Sequence, residues 1–112
     1  MTPQEPRDPV AIGREVLERE ARALDQVRER LDERFARAVE LLESARRIVV
    51  TGVGKSGAVA AKLAATLTST GSPASHLHPT AALHGALGSV GPEGAVLALS
   101  KSARSGDLLA RL

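Results

Sequence analysis

Two short clusters carry the residue types that could do chemistry. The first is the run Ile48-Val49-Val50-Thr51-Gly52-Val53-Gly54-Lys55-Ser56-Gly57, in which an apolar, β-branched stretch stops at glycines and a lysine and a serine follow. The second is Ser100-Lys101-Ser102-Ala103-Arg104-Ser105, which follows another apolar stretch. Both suit an anion. Glycines let backbone N–H groups approach a ligand, and the unpaired amides of a helix's first turn carry partial positive charge. Lys55 adds a full charge and Ser56 a hydroxyl, while serines spaced by two and three residues on a strand-to-helix turn can ring a phosphate.

Several motifs compete for these residues. Gly52-x-Gly54-x-x-Gly57 matches the dinucleotide fingerprint, which also needs an acid about 20 residues on to hold the ribose. That region reads Ser72-Pro73-Ala74-Ser75-His76-Leu77-His78 and holds no carboxylate, so no nicotinamide or flavin is expected. Gly54-Lys55-Ser56 imitates a nucleotide P-loop, but the first glycine of that motif would fall at Val49. A tight glycine turn with a solvated lysine stays open, as does simple helix capping by Ser102 or Ser105. A small phosphorylated metabolite is the reading these residues favour.

The elements that must hold the clusters are legible from periodicity. Three prolines among polar residues make 1–9 a disordered arm. From Val10 to Ser44, Leu17, Ala21, Leu24, Leu31, Phe35, Ala38 and Leu42 recur at helical steps, giving one long helix or two with a quiet junction. So long a helix exceeds what a small sheet can cover, so its stripe is expected to face a partner. Strands are expected at Arg47–Val53, Ser75–His78 and Ala95–Ser100. A helix from Ser56 to Thr70 is stopped by Gly71, a short helical segment lies near Thr80 to Leu87, and a last helix begins near Ser105. Strands alternating with helices, and apolar throughout, imply an α/β fold: a parallel sheet covered on both faces, in three layers, α/β/α. The domain organisation expected is an arm at 1–9, a helical segment at 10–46 and an incomplete α/β domain at 47–112, cut off after its third strand.

Composition narrows the function. Residues 1–47 hold ten arginines against eleven acids, whereas 48–112 hold Lys55, Lys62, Lys101, Arg104 and Arg111 against only Glu93 and Asp107. Three of those bases lie just beyond predicted strand ends, where open α/β sheets bind ligands. The net charge is +2 and Phe35 is the one aromatic residue, so neither a basic stripe nor a stacking platform for nucleic acid is present. Cysteine is absent, which removes disulfides and thiolate metal sites. His76, His78 and His84 have no acid or cysteine near them in sequence, so no metal is expected. No apolar run approaches the ~20 residues of a membrane span, and a cytoplasmic protein is expected.

Taken in order, the Val-Thr-Gly-Val-Gly-Lys-Ser-Gly turn, Ser69-Thr70-Gly71, His78-Pro79, His84-Gly85-x-Leu87-Gly88 and the serine turn resemble the sugar isomerase (SIS) domain, closest to the arabinose-5-phosphate isomerases. The resemblance runs from about Ala11 to Leu112. It implies a five-stranded, flavodoxin-like parallel α/β/α domain of which this chain holds the first three strands. It also implies a homo-oligomer, a phosphorylated sugar as ligand, no cofactor, and interconversion of ribulose 5-phosphate and arabinose 5-phosphate through an enediol. The phosphate would sit among Gly54, Ser56, Ser100, Ser102 and Ser105, and the matching positions near the sugar are Lys55, His84 and Asp107. Chemistry suits those roles: Lys55 stabilises charge, His84 handles protons or opens the ring, and Asp107 acts as base or positions the sugar.

The chain also departs from the family's pattern. Thr80-Ala81 stands where the family reads Gly-Glu, His84-Gly85-Ala86 for His-Gly-Asp, and Ser102-Ala103-Arg104 for Ser-Gly-Glu, so three carboxylates and a glycine are missing. Binding is therefore better supported than turnover. A non-catalytic phosphosugar-binding or interaction module, or a non-functional fragment, are the alternatives.

Overall fold

The computed structural model describes residues 5–78, 80 and 90–101. The chain divides into two compact units, 1–37 and 38–112. The first unit is built on helix α1, Pro9–Arg30. Asp8 caps it, its carboxylate accepting the Val10 amide at 3.1 Å, and Pro9 occupies the first turn, where a missing N–H costs nothing. Arg19 pairs with Glu15 one turn back at 3.0 Å, and Glu15 also holds Arg7. None of the residues of α1 is buried, and Leu17 and Leu24 are 66% and 72% exposed.

Of the two expected arrangements over 10–44, the structure has the second, two helices with a junction. Leu31 turns extended, with ψ at 129°, and α2 then runs Glu33–Ser44. Asp32 makes the junction: its carboxylate accepts the Arg34 amide at 2.9 Å and grips the Arg34 guanidinium at 2.9 Å. The side-chain bond first and the amide second hold the Asp32 carboxyl below its ordinary value. Such a lowered carboxyl favours the cap above the ordinary carboxylate range and loses that effect as pH falls through its folded value.

In the second unit β1, Arg47–Gly52, is the central strand. Helix α3 follows at Lys55–Ser69, then β2 at Ala74–His76 and β3 at Gly94–Leu99. The order is β2-β1-β3, with both pairings parallel. Register sets Ile48 beside Ala74 and Ala95, and Val50 beside His76 and Leu97, so these residues share one face. Ile48 and Val50 are buried there against Ala60 and Ala64 of α3, with Leu42, Leu63, Leu67, Leu97 and Leu99 packed around them. Small residues at 57, 60 and 64 form the α3 stripe that meets the sheet, which is why an alanine-rich sequence makes this helix.

Boundaries differ from the expectation by one or two residues. β1 ends at Gly52 rather than Val53, and α3 begins at Lys55 rather than Ser56. β2 runs one residue earlier at its start and stops at His76, although the Leu77 amide still donates to the Val50 carbonyl at 2.9 Å. β3 begins at Gly94 and ends at Leu99. The stop of α3 follows the expectation closely: Gly71 sits at φ +99°, its amide donates to Thr68 O and that of Ser72 to Leu67 O, a Schellman cap. The helical segment expected over Thr80–Leu87 falls, apart from Thr80, outside the described residues, as does the helix expected near Ser105.

Contact between α3 and β1 is closest at two glycines. A Cβ on Gly57 would lie 2.8 Å from the Gly52 carbonyl oxygen, and one on Gly52 would lie 2.7 Å from the Ser56 carbonyl carbon. Gly57→Ala is therefore expected to lower the unfolding free energy by about 1–3 kcal/mol, as overpacking commonly does. Urea denaturation checks it, and an unchanged midpoint would mean that the helix has room to retreat.

Candidate functional site

The strand order places a crevice between β1 and β3. From β1 the chain leaves through α3 to β2 on one flank, and it reaches β3 on the other flank only later. Neighbouring strands whose connections diverge in this way open a gap at their carboxyl ends, the usual ligand position in open parallel sheets. A cleft of about 470 Å³ lies there, lined by Lys55, Ser56, Val59, Ala98, Leu99, Ser100 and Lys101.

Backbone geometry turns the helix start into an anion-favouring surface. Gly54 precedes α3 at φ +61°, ψ −124°, an extended conformation of mirror-image hand that a Cβ disfavours. It carries no side chain to cap the helix, and the first helical bond runs from the Ala58 amide to the Gly54 carbonyl at 3.2 Å. The amides of Lys55, Ser56 and Gly57 come before that bond, and no acid occupies the first turn. The three glycines of the run thus divide their work. Gly52 and Gly57 permit close packing of helix on strand, whereas a Cβ on Gly54 would meet nothing within 4 Å.

Three of the residues singled out by sequence, Lys55, Ser56 and Ser100, line one cleft, and Gly54 sets the helix that presents the first two. Ser102, Ser105, His84 and Asp107 lie outside the described residues, as do Ala81, Ala86 and Arg104. His76 is exposed on β2, and the Nδ1 of His78 accepts the Thr80 amide at 3.1 Å. Among the described residues no group of three or more histidine, cysteine or acidic side chains could hold a metal ion. Nor, among them, is any helix long and apolar enough to cross a membrane.

Val59, Ala98, Leu99 and Lys101 also line the cleft, and the sequence does not assign them to the site. It marks Lys101 only as one of the bases just past a strand end, within the serine cluster. The other three read as core residues, and only the path of the chain shows that they border a cleft.

Chemically, the cleft offers two ammonium groups, two hydroxyls and the open end of a helix beside an apolar wall. That set suits a phosphate joined to a small organic body. It holds no carboxylate among the described residues to serve as a base.

A family model, the SIS domain, matches residues 41–112. The arabinose 5-phosphate isomerase KdsD of Yersinia pestis is 43% identical over 98 residues, 87% of this chain and 30% of the relative. The arabinose 5-phosphate isomerase GutQ of Escherichia coli K12 is 41% identical over 97 residues, 86% of this chain and 30% of the relative. Among solved structures, E. coli CFT073 c3406 in complex with arabinose 5-phosphate superposes with a TM-score of 0.82 at 34% identity, over 95% of this chain and 58% of that one. The chain thus spans about a third of the length of these curated relatives.

Because no neighbour crowds Gly54, a substitution there acts through backbone strain alone. Gly54→Ala is expected to cost about 1–3 kcal/mol or to rotate the turn and redirect the Lys55 and Ser56 amides. Phosphate binding followed by calorimetry should weaken in this variant. Wild-type affinity would show that the Gly54 conformation does not shape the site.

Proposed function

The chain belongs to the SIS domain family, and from that premise we propose that it is a sugar-phosphate-binding domain of aldose–ketose isomerase lineage, of the ribulose 5-phosphate/arabinose 5-phosphate type. The observation that carries the proposal is the cleft into which the open start of α3, Lys55, Ser56 and Ser100 converge. The relatives named as arabinose 5-phosphate isomerases, and the neighbour solved with arabinose 5-phosphate, support the sugar phosphate as ligand.

In this reading the phosphate rests against the turn at Gly54 and the hydroxyls of Ser56 and Ser100, with Ser102 and Ser105 completing the ring. Lys55, His84 and Asp107 attend the sugar. Moving a proton between adjacent carbons takes a base, an electrophile for the enediolate and groups that handle hydroxyl protons. Lys55 is proposed for the second need, and His84 and Asp107 for the others. The replaced acids at Ala81, Ala86 and Arg104 favour a second reading, a binding module that moves no proton. Losing one such group commonly costs on the order of 10²-fold in rate, so binding survives these changes better than catalysis.

The proposal includes a homo-oligomer and a cytoplasmic location, with residues 1–9 as an arm, 10–46 as a helical segment and 47–112 as the SIS portion. Leu17 and Leu24 of α1, Leu31 at the junction and Phe35 of α2 are each more than half exposed, apolar surface that a second copy would cover. Sedimentation should show a dimer or larger species, and Leu24→Glu with Leu31→Glu should shift it towards monomer. A wild-type monomer would remove the oligomer from the proposal.

Ligand class is tested by calorimetry with arabinose 5-phosphate and arabinose. The phosphorylated sugar is expected to bind at least about tenfold more tightly, and Lys55→Ala to erase most of that difference. Equal affinity for the two sugars would sink the reading.

A further inference from the structure

Lys101 stands just beyond the end of β3 and lines the same cleft as Lys55, which opens α3 on the other side of the crevice. Among residues 48–101 the one carboxylate is Glu93, and it is paired with Arg46 at 3.2 Å before the start of β3. The six residues of β3, at a rise of about 3.3 Å each, put about 20 Å of strand between Glu93 and the cleft. Charges so far apart are largely screened at physiological salt, where the Debye length is about 8 Å. Lys62 lies two turns further along α3 and is not among the residues lining the cleft. The cleft therefore carries two cations from two different elements, and no described carboxylate offsets them. Two like charges bordering one cleft repel, and an anion seated between them turns that repulsion into attraction.

We propose that Lys101 is a specificity-determining residue of this cleft: with Lys55 on the opposite wall, it selects ligands bearing a dianionic phosphate ester over neutral sugars. The inference rests on the proposed sugar-phosphate reading and adds a residue to it. An ammonium acts as a point charge on a flexible stem, so Lys101 follows the phosphate rather than fixing its orientation. The hydroxyls of Ser56 and Ser100 and the helix amides supply direction, and the two lysines supply charge. A phosphate monoester carries close to two negative charges at neutral pH, which matches the two cations.

The test uses the whole chain, with inorganic phosphate, arabinose 5-phosphate and arabinose as probes, at low and moderate ionic strength. Lys101 is exposed, so Lys101→Gln should fold as the wild type does. It is expected to weaken both phosphate-bearing probes about fivefold or more, to flatten their salt dependence, and to leave arabinose unchanged. Lys101→Arg should restore most of the loss. If Lys101→Gln binds both anions as the wild type does, with the same salt dependence, the role of Lys101 is overturned while the parent reading stands. If inorganic phosphate is weakened by the substitution but arabinose 5-phosphate binds no better than arabinose, the sugar-phosphate reading falls and Lys101 remains an anion-binding residue. Failure of both anions to bind the wild type would overturn the two together.

Discussion

Everything at the carboxyl end of the sheet depends on how closely α3 approaches β1. The Gly57 Cα faces the Gly52 carbonyl so tightly that a methyl group on either glycine would collide with backbone. With that contact made, the first turn of the helix is held against the strand end, and Gly54 turns the chain between them in a mirror-extended conformation. Lys55 and Ser56 then have one place to be, beside the end of β3. The same approach brings Ala60 and Ala64 onto Ile48 and Val50, so the small core and the cleft are consequences of one packing.

The sheet is also sorted by charge along its strands. At the amino end Arg46 and Glu93 pair across β1 and β3, and the Arg46 amide donates to the Glu93 carbonyl at 3.0 Å, which closes that end of the ladder. At the carboxyl end the described residues supply lysines without acids. The exposed Arg46–Glu93 pair stabilises little. Glu93 sits before β3, at the strand end opposite the cleft, so positive potential stays where the helix amides already favour an anion.

The strands and α3 were legible because their signals are local. Ile48 to Val50 is a β-branched run that no helix stripe explains, and Gly71 marks a left-handed stop. A quiet junction between two helices is one of the two expected arrangements, but its place at Asp32 was not legible, since neither proline nor glycine announces it. An aspartate among many charged residues looks like solvated surface until its carboxylate is seen holding the Arg34 amide. The site was half legible. Glycines, a lysine and hydroxyls at strand ends advertise anion chemistry by type, so Lys55, Ser56 and Ser100 could be named. Val59, Ala98 and Leu99 could not, because an apolar residue that walls a cleft is indistinguishable in sequence from one in the core. Gly52 and Gly57 look like ligand-approach glycines in the fingerprint, and only the helix-to-strand distance shows that they serve packing instead.

The central claim is that one cleft, between the start of α3 and the end of β3, receives the phosphate. Amide chemical shifts recorded by NMR during titration with arabinose 5-phosphate test it most directly. The account predicts saturable changes concentrated at Lys55, Ser56 and Gly57 and at Ser100 and Lys101, with little change at the opposite end of the sheet. Changes centred instead on the groove of about 390 Å³ beside Arg46 and Glu93, or spread evenly along the chain, would contradict it.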